Sequence, residues 1–290
     1  MRDFNEMSAT AAVIDRMAGC ESPRLREIMT SVVTHLHAVI REVEPTQEEW
    51  LAAIAFLTDT GKICDDKRQE FILLSDTLGV SMLADAINNR KPSGATESTV
   101  LGPFHVAGAP PRTMGDTISL DGKGDPAWVS GRVLDLDGNP IEGACLDVWQ
   151  SSSEGAYDVQ DPDQPDMNLR GLFTTGKDGR YYFRTVRPSS YPVPTDGPVG
   201  GMLTALGRHP MRPAHIHFIV GAPGFEPVTT HVFVAGDPYL DSDAVFGVKS
   251  SLVEPFVETD DSARASELGL ANPFYVAGHD FVLARQAEAD

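Results

Sequence analysis

The chain has 290 residues, enough for one large core or two unequal units, and two are expected. Lys and Arg total 23 against 42 Asp and Glu, a formal charge of −19 that repels phosphate backbones and anionic headgroups, which argues against nucleic acid and membrane surfaces as partners. No run approaches the roughly 18 apolar residues of a membrane span, and the N-terminus has no apolar leader, so a cytoplasmic protein is expected.

The first 90 residues read as helices. Ser22 caps a helix that opens with Pro23, and Leu25, Ile28, Met29, Val32, Val33, Leu36, Val39 and Ile40 then recur at helical spacing as one apolar stripe. A second helix begins at "TQEEW", where Thr46 and Glu49 form a capping box ahead of Trp50, Leu51, Ile54 and Leu57. The mostly apolar "RQEFILLSDTLGVSMLADAI" is a further helical segment with a break near Gly79. Cys20, Cys64 and Cys145 are odd in number and far apart, offering neither a disulfide framework nor a zinc spacing. They read as small buried residues rather than a catalytic thiol.

From about residue 91 the Pro and Gly density rises and the period changes to two. "SGRVLDLDGNPIEGACLDVWQ" reads as a strand ending at Leu136, a turn at "DGNP" and a strand from about Ala144 to Gln150. "GKDGRYYFRTV" repeats the pattern with a strand over Arg180 to Val186, and further strands are expected at 213 to 220, 228 to 234 and 278 to 284. The fold class is therefore α+β, with a helical region over 1–95 and an antiparallel β-sandwich over 96–290.

Within "AHIHFIV", alternation puts His215, His217 and Ile219 on one face and Ile216, Phe218 and Val220 on the other. Both imidazoles therefore enter one space. The pair His35 and His37 has the same spacing, but on a helix two positions are about 200° apart, so these two cannot share a ligand. Taken alone, His215 and His217 are either a metal pair or two polar residues on a wet sheet face. His231 is a conceivable third ligand, and a zinc hydrolase using the three histidines is one reading.

Tyr157 in "EGAYDVQD" and Tyr191 in "SSYPVPTDGPVG" precede "MRPAHIHF", and this order of Tyr, Tyr, His-x-His resembles the intradiol ring-cleavage dioxygenases. The likeness extends to "STVLGPFHVAGAP", "GRVLDLDGNPIEGACLDVWQ" and "FILLSDTLG", and so over nearly the whole chain. It implies that Tyr157, Tyr191, His215 and His217 hold one Fe(III) per subunit, because hard phenolate oxygens favour the trivalent ion. It also implies that a catechol-type diol chelates the ion and displaces Tyr191, that the released groups act as bases, and that O2 attacks the ring, which opens between its hydroxylated carbons.

Arg212 matches the family arginine that stabilises negative charge on the substrate, against the simpler reading of a surface loop residue. His231 stands where catechol-cleaving members carry glutamine; it is read as a hydrogen-bond donor behind the ligands, with extra ligand and ordinary strand residue as the other readings. Tyr181, Tyr182, Tyr239, His105, His209 and His279 are read as packing residues.

"EFILLSDTLG" and "STVLGPFH" are most similar to the hydroxyquinol-cleaving branch, whose substrate is benzene-1,2,4-triol. That likeness implies a ring pocket of Leu73, Asp76, Val100, Leu101, Gly102, Pro103 and Phe104, closed by Pro192 and Val245. Asp76 would accept a hydrogen bond from the third hydroxyl, unless it only caps a helix. The resemblance further implies a homodimer through the N-terminal helices, sometimes with phospholipid between them. Catechol or chlorocatechol cleavage is the alternative within the family. A transthyretin-like binding sandwich without metal is the alternative outside it.

Overall fold

The computed structural model describes residues 4–65 and 68–286, and the chain forms two compact units, Met1–Asp59 and Thr60–Asp290. The first holds α1 (Ala9–Asp15), α2 (Pro23–Val43) and most of α3 (Gln47–Lys62). The Ser22 hydroxyl accepts from the Leu25 N–H, and α2 ends at Glu44 in the left-handed conformation. The capping box of α3 is reciprocal: Glu49 N–H donates to Thr46 Oγ1 at 3.2 Å and Thr46 N–H to Glu49 Oε2 at 2.8 Å. The unexpected α1 packs on α2, with Thr10 Oγ1 3.1 Å from His37 Nδ1. Within this unit Leu36 and Val43 remain 58% and 61% exposed, so the apolar stripe of α2 is largely uncovered.

The second unit contains α4 (Glu70–Thr77) and α5 (Val80–Asn88), separated at Gly79, whose φ of +73° suits glycine. Two further helices, α6 (Pro198–Ala205) and α7 (Ser262–Leu268), had no clear periodic signal in the sequence. The structural division falls earlier than the expected boundary at residue 95. Its cause is local: α4 packs on α6, and the buried Glu70 carboxylate accepts from the Val199 N–H at 3.1 Å.

Twelve strands lie among the described residues. They are β1 (Pro126–Asp135), β2 (Cys145–Gln150), β3 (Arg170–Thr174), β4 (Arg180–Val186), β5 (Tyr191–Pro192), β6 (Met211–Arg212), β7 (His215–Gly221), β8 (Val228–Val234), β9 (Val253–Glu254), β10 (Val257–Thr259), β11 (Phe274–Gly278) and β12 (Phe281–Leu283). One five-stranded sheet runs β10-β11-β1-β12 with β4 on β1; the other runs β3-β2-β7-β8-β9, and β5 pairs with β6 separately.

The architecture is α+β as expected, but the sandwich is not purely antiparallel. β1 runs parallel to β11 and β12, and β8 to β9. The strand expected at 278 to 284 is β12, and β11, which the sequence reading does not include, precedes it; the two pair with successive parts of β1. The strand expected from 213 begins instead at His215, because Pro213 has no N–H to give a ladder. The three cysteines are unbonded and half-buried rather than fully buried.

Between the sheets lies a core to which β1 and β4 contribute Val129, Val133 and Phe183, and β2, β7 and β8 contribute Leu146, Ile216, Phe218 and Val232. The opposite face of β7 carries His215 and His217, beneath a smaller cluster of Trp149, Tyr157 and Tyr191. Alternation thus keeps the imidazoles out of the greasy core while leaving them buried.

Gly131 sits where β1 changes partners from β11 to β12. A Cβ there would overlap the His279 carbonyl oxygen, which is backbone and cannot swing away. Gly131→Ala is expected to cost about 3 kcal/mol, within the range of overpacking penalties, read as a lowered urea midpoint with an unchanged slope.

Candidate metal centre

Three local structures carry the predicted donors. Tyr157 lies in the loop between β2 and β3, its N–H donating to Gln160 Oε1 at 3.1 Å, and the next residue, Asp158, forms a buried ion pair with Arg170 at 2.5 Å. Tyr191 is on β5, opposite Arg212 on β6. Pro213 interrupts the chain, and β7 then presents His215 and His217, with Trp149 of β2 on one side of His217 and His231 of β8 on the other.

The four donor atoms form a closed ring. Tyr157 and Tyr191 hydroxyls lie 3.1 Å apart, Tyr157 Oη is 3.0 Å from His217 Nε2, His217 Nε2 is 3.1 Å from His215 Nε2, and His215 Nε2 is 3.4 Å from Tyr191 Oη. Ligands about 2.1 Å from a common ion lie about 3 Å apart at right angles and about 3.4 Å apart in a tetrahedron, so the set fits one cation. The ring of Trp149 stacks on His217 at 4.6 Å and 12°, and Phe104 stacks on Tyr157 at 4.6 Å, which fixes both side chains.

The tautomer of His215 follows from its neighbours. Its Nδ1 is 2.7 Å from the Pro213 carbonyl, which can only accept, so Nδ1 carries the proton and Nε2 offers its lone pair to the centre. Burial, reinforced by the Arg212 charge, pulls the His215 pKa down to about 3. His217 and His231 are also held well below the ordinary range by burial, then by charged and imidazole neighbours. All three are neutral near pH 7, the form that ligates metal.

Burial, and secondarily Tyr191, pushes the Tyr157 phenol well above its usual value. A bound cation would reverse that preference and hold the phenolate. Among the described residues, His215, His217 and His231 form a cluster whose ligand atoms lie within 4.8 Å of one another. His231 is fully buried with no partner at either ring nitrogen; the Val100 main chain favours its protonation without meeting hydrogen-bond geometry.

Arg212 completes the site. Its Nη1 is 3.4 Å from Tyr191 Oη and 3.2 Å from His215 Nε2, while Nε and Nη2 face Asp243 at 3.1 and 3.4 Å. Asp243 also accepts from the Val245 and Gly247 N–H groups. Burial raises the Asp243 pKa, but Arg212 and these hydrogen bonds outweigh it and leave the carboxyl below its usual value.

A model described as "Dioxygenase" matches residues 100–283, and one described as "Catechol dioxygenase N terminus" matches residues 22–96. The chain belongs to the intradiol ring-cleavage dioxygenases. This dioxygenase is 60% identical to a hydroxyquinol 1,2-dioxygenase of Rhizobium sp. (strain MTP-10005), over 97% of this chain and 96% of the relative. It superimposes on hydroxyquinol 1,2-dioxygenase from Pseudomonas putida DLL-E4 with a TM-score of 0.91 at 50% identity, covering 97% of this chain and 99% of that one. Against wild-type catechol 1,2-dioxygenase of Acinetobacter radioresistens the TM-score is 0.85 at 30% identity, covering 99% and 96%. Family membership sets aside the non-catalytic sandwich reading.

The other expected pocket residues are placed unevenly around the dioxygenase site. Leu73, Pro103 and Phe104 line a cavity of about 600 Å³ together with His105, Gln160 and Pro194. Gly102 has a φ of +77°, which suits glycine, and an added Cβ would stand 3.2 Å from His217 Cε1, so the imidazole would have to give by a few tenths of an ångström. Val100, Val245 and Asp76 are buried, and burial, eased by Ser81 and Arg212, raises the Asp76 pKa. Leu101 and Pro192, by contrast, are exposed. His105 is more than packing, because its Nε2 pairs with Asp147 at 2.9 Å.

Sequence reasoning missed Asp243, Trp149 and the Asp158–Arg170 pair. Asp158 adjoins Tyr157 in the chain and was findable; Asp243 lies 31 residues beyond Arg212 with no local pattern to mark it. Asp243→Asn would leave the Arg212 charge buried and unpaired, and is expected to destabilise the fold by about 3 kcal/mol near neutrality. Because the folded carboxyl titrates below the unfolded value of about 3.9, this contribution is present above that pH and disappears as pH falls through the folded pKa. Chemical denaturation of both proteins from pH 7 to 3 should show the difference narrowing toward acid.

Proposed function

We propose that this dioxygenase opens benzene-1,2,4-triol between its two ortho-hydroxylated carbons, incorporating both atoms of O2 to give 3-hydroxy-cis,cis-muconate (maleylacetate), with one Fe(III) per subunit held by Tyr157, Tyr191, His215 and His217. The observation that carries the reading is the closed ring of four buried donors with Arg212 Nη1 beside it. Two phenolates and two neutral imidazoles present hard oxygen and borderline nitrogen to one ion, a set suited to ferric rather than ferrous iron. Bound iron supplies a Lewis acid that draws electron density from a chelated diol and makes its ring reactive toward O2.

The remaining chemistry belongs to the side chains. Tyr191 Oη, next to Arg212, would be one of the residues holding the iron and, as a phenolate, would be placed to accept a proton from a substrate hydroxyl. Arg212, pinned by Asp243, keeps its charge and supplies Nη1 to the oxygen that becomes negative, at no cost of reorientation. Phe104 and Leu73 give the aromatic ring an apolar wall and limit access of water. Asp76, raised by burial and 5% exposed, accepts from or donates to the third hydroxyl. Val100, Leu101, Gly102, Pro103, Pro192 and Val245 complete the proposed pocket, and His231 supports the centre from β8.

The wider setting belongs to the same reading. Uncovered apolar residues of α2 and α3, among them Leu36 and Leu51, support a homodimer through these helices with phospholipid between them. Among the described residues no helix is long and apolar enough to cross a membrane, and the thiols are unbonded, which supports a cytoplasmic place in aromatic-ring catabolism.

Steady-state oxygen uptake tests the substrate. The iron-loaded protein should turn over benzene-1,2,4-triol with at least about tenfold higher kcat/KM than catechol, the discrimination that one buried hydroxyl contact supplies. Asp76→Ala should shrink that ratio several-fold, and stripping the iron should abolish uptake. Catechol or a chlorocatechol matching the triol in the unaltered protein would transfer the assignment to those branches.

A further inference from the structure

His231 is buried against two of the proposed ligands, its ring 4.6 Å from His215 and 4.1 Å from His217, and neither nitrogen meets a partner at full hydrogen-bond geometry, although the Val100 main chain lies near enough to favour its protonation. A neutral imidazole offers one N–H and one lone pair, and buried polar groups are nearly always satisfied. An unpaired pair of nitrogens at this position therefore points to something the ring engages. Strand register makes the placement deliberate, since His231 stands directly opposite His217 in the β7–β8 ladder.

We propose that His215, His217 and His231 form a second, all-imidazole donor face that binds a divalent first-row cation independently of the two tyrosines. Three imidazoles are a recurrent set for such ions, and zinc, cobalt and ferrous iron accept nitrogen readily. A divalent ion is weaker than a trivalent one at holding two buried phenolates, so the neutral set suits it better. The two faces share His215 and His217 and are mutually exclusive. Oxidation state then decides which partners a metal takes: Tyr157 and Tyr191 when it is trivalent, His231 when it is divalent.

The geometry allows the exchange. Three nitrogens about 2.1 Å from one ion lie about 3.4 Å apart, whereas the three ligand atoms here lie within 4.8 Å of one another. A movement of about 1.4 Å in one ring closes the widest gap. His231 is the ring freest to make it, because only the off-geometry contact with the Val100 main chain is given up. His215 is tied to Pro213 and cannot turn as cheaply.

The test uses Co(II) alone, titrated into the full-length chain after its metal has been removed by chelation, with the visible ligand-field absorption of Co(II) as readout. The unaltered chain and the Tyr157→Phe, Tyr191→Phe double variant should bind with affinities within about threefold of each other. His231→Gln should bind at least about tenfold more weakly, the smallest loss typical of removing a metal's supporting contact. Binding by His231→Gln equal to the unaltered chain, loss of binding in the double tyrosine variant, or no Co(II) uptake by the unaltered chain would each overturn the proposal. Should His231→Gln fail to fold, X-ray absorption of the Co(II)-loaded unaltered chain decides: three imidazoles support it, and two imidazoles with phenolate oxygens refute it. No iron or turnover enters the readout, so failure here is distinct from failure of the ring-cleavage reading.

Discussion

Four electron-pair donors crowd into one buried space, and everything around them serves to keep them there. Phenolic oxygens and imidazole nitrogens, each 3.0 to 3.4 Å from its neighbours around the ring, form the kind of arrangement a cation stabilises and an empty apolar interior does not. Strand alternation solves the placement problem. By pointing outward from the sandwich core, His215 and His217 meet a second, smaller cluster made by Trp149 and the two tyrosines. The main core between the sheets stays wholly apolar at these positions of β7.

Charge is managed by pairing. Arg212 would be ruinous as an isolated buried cation beside three neutral imidazoles, and Asp243, braced by two backbone N–H groups, makes its presence tolerable. The Asp158–Arg170 pair has the same logic on the other side, holding the loop that carries Tyr157. Each ion pair fixes a backbone segment adjoining a donor, so the supports of the site and the supports of the loops are the same groups. Removing a carboxylate therefore affects both stability and the placement of the four converging side chains.

Much of this was legible in the chain. The helical stripe of α2, the capping box at Thr46 and Glu49, the break at Gly79 and the outward face of β7 depend on local spacing, and local spacing is what a sequence displays. The parallel pairing of β1 with β11 and β12 joins residues some 150 positions apart by no local rule, so an antiparallel sandwich was the natural expectation. The helices α1, α6 and α7 are short and stabilised by their surroundings rather than by a periodic pattern. At the site, motif order anticipates the convergence of Tyr157, Tyr191, His215 and His217, whereas nothing local anticipates Asp243 or Arg170. Long-range ion pairs leave no trace until the backbone brings them together.

Anomalous diffraction at the iron absorption edge, on crystals of the protein as purified, bears most directly on the central claim. The account predicts a single strong peak at the centroid of Tyr157 Oη, Tyr191 Oη, His215 Nε2 and His217 Nε2. A peak elsewhere, or none in protein that cleaves the ring at full rate, would contradict it.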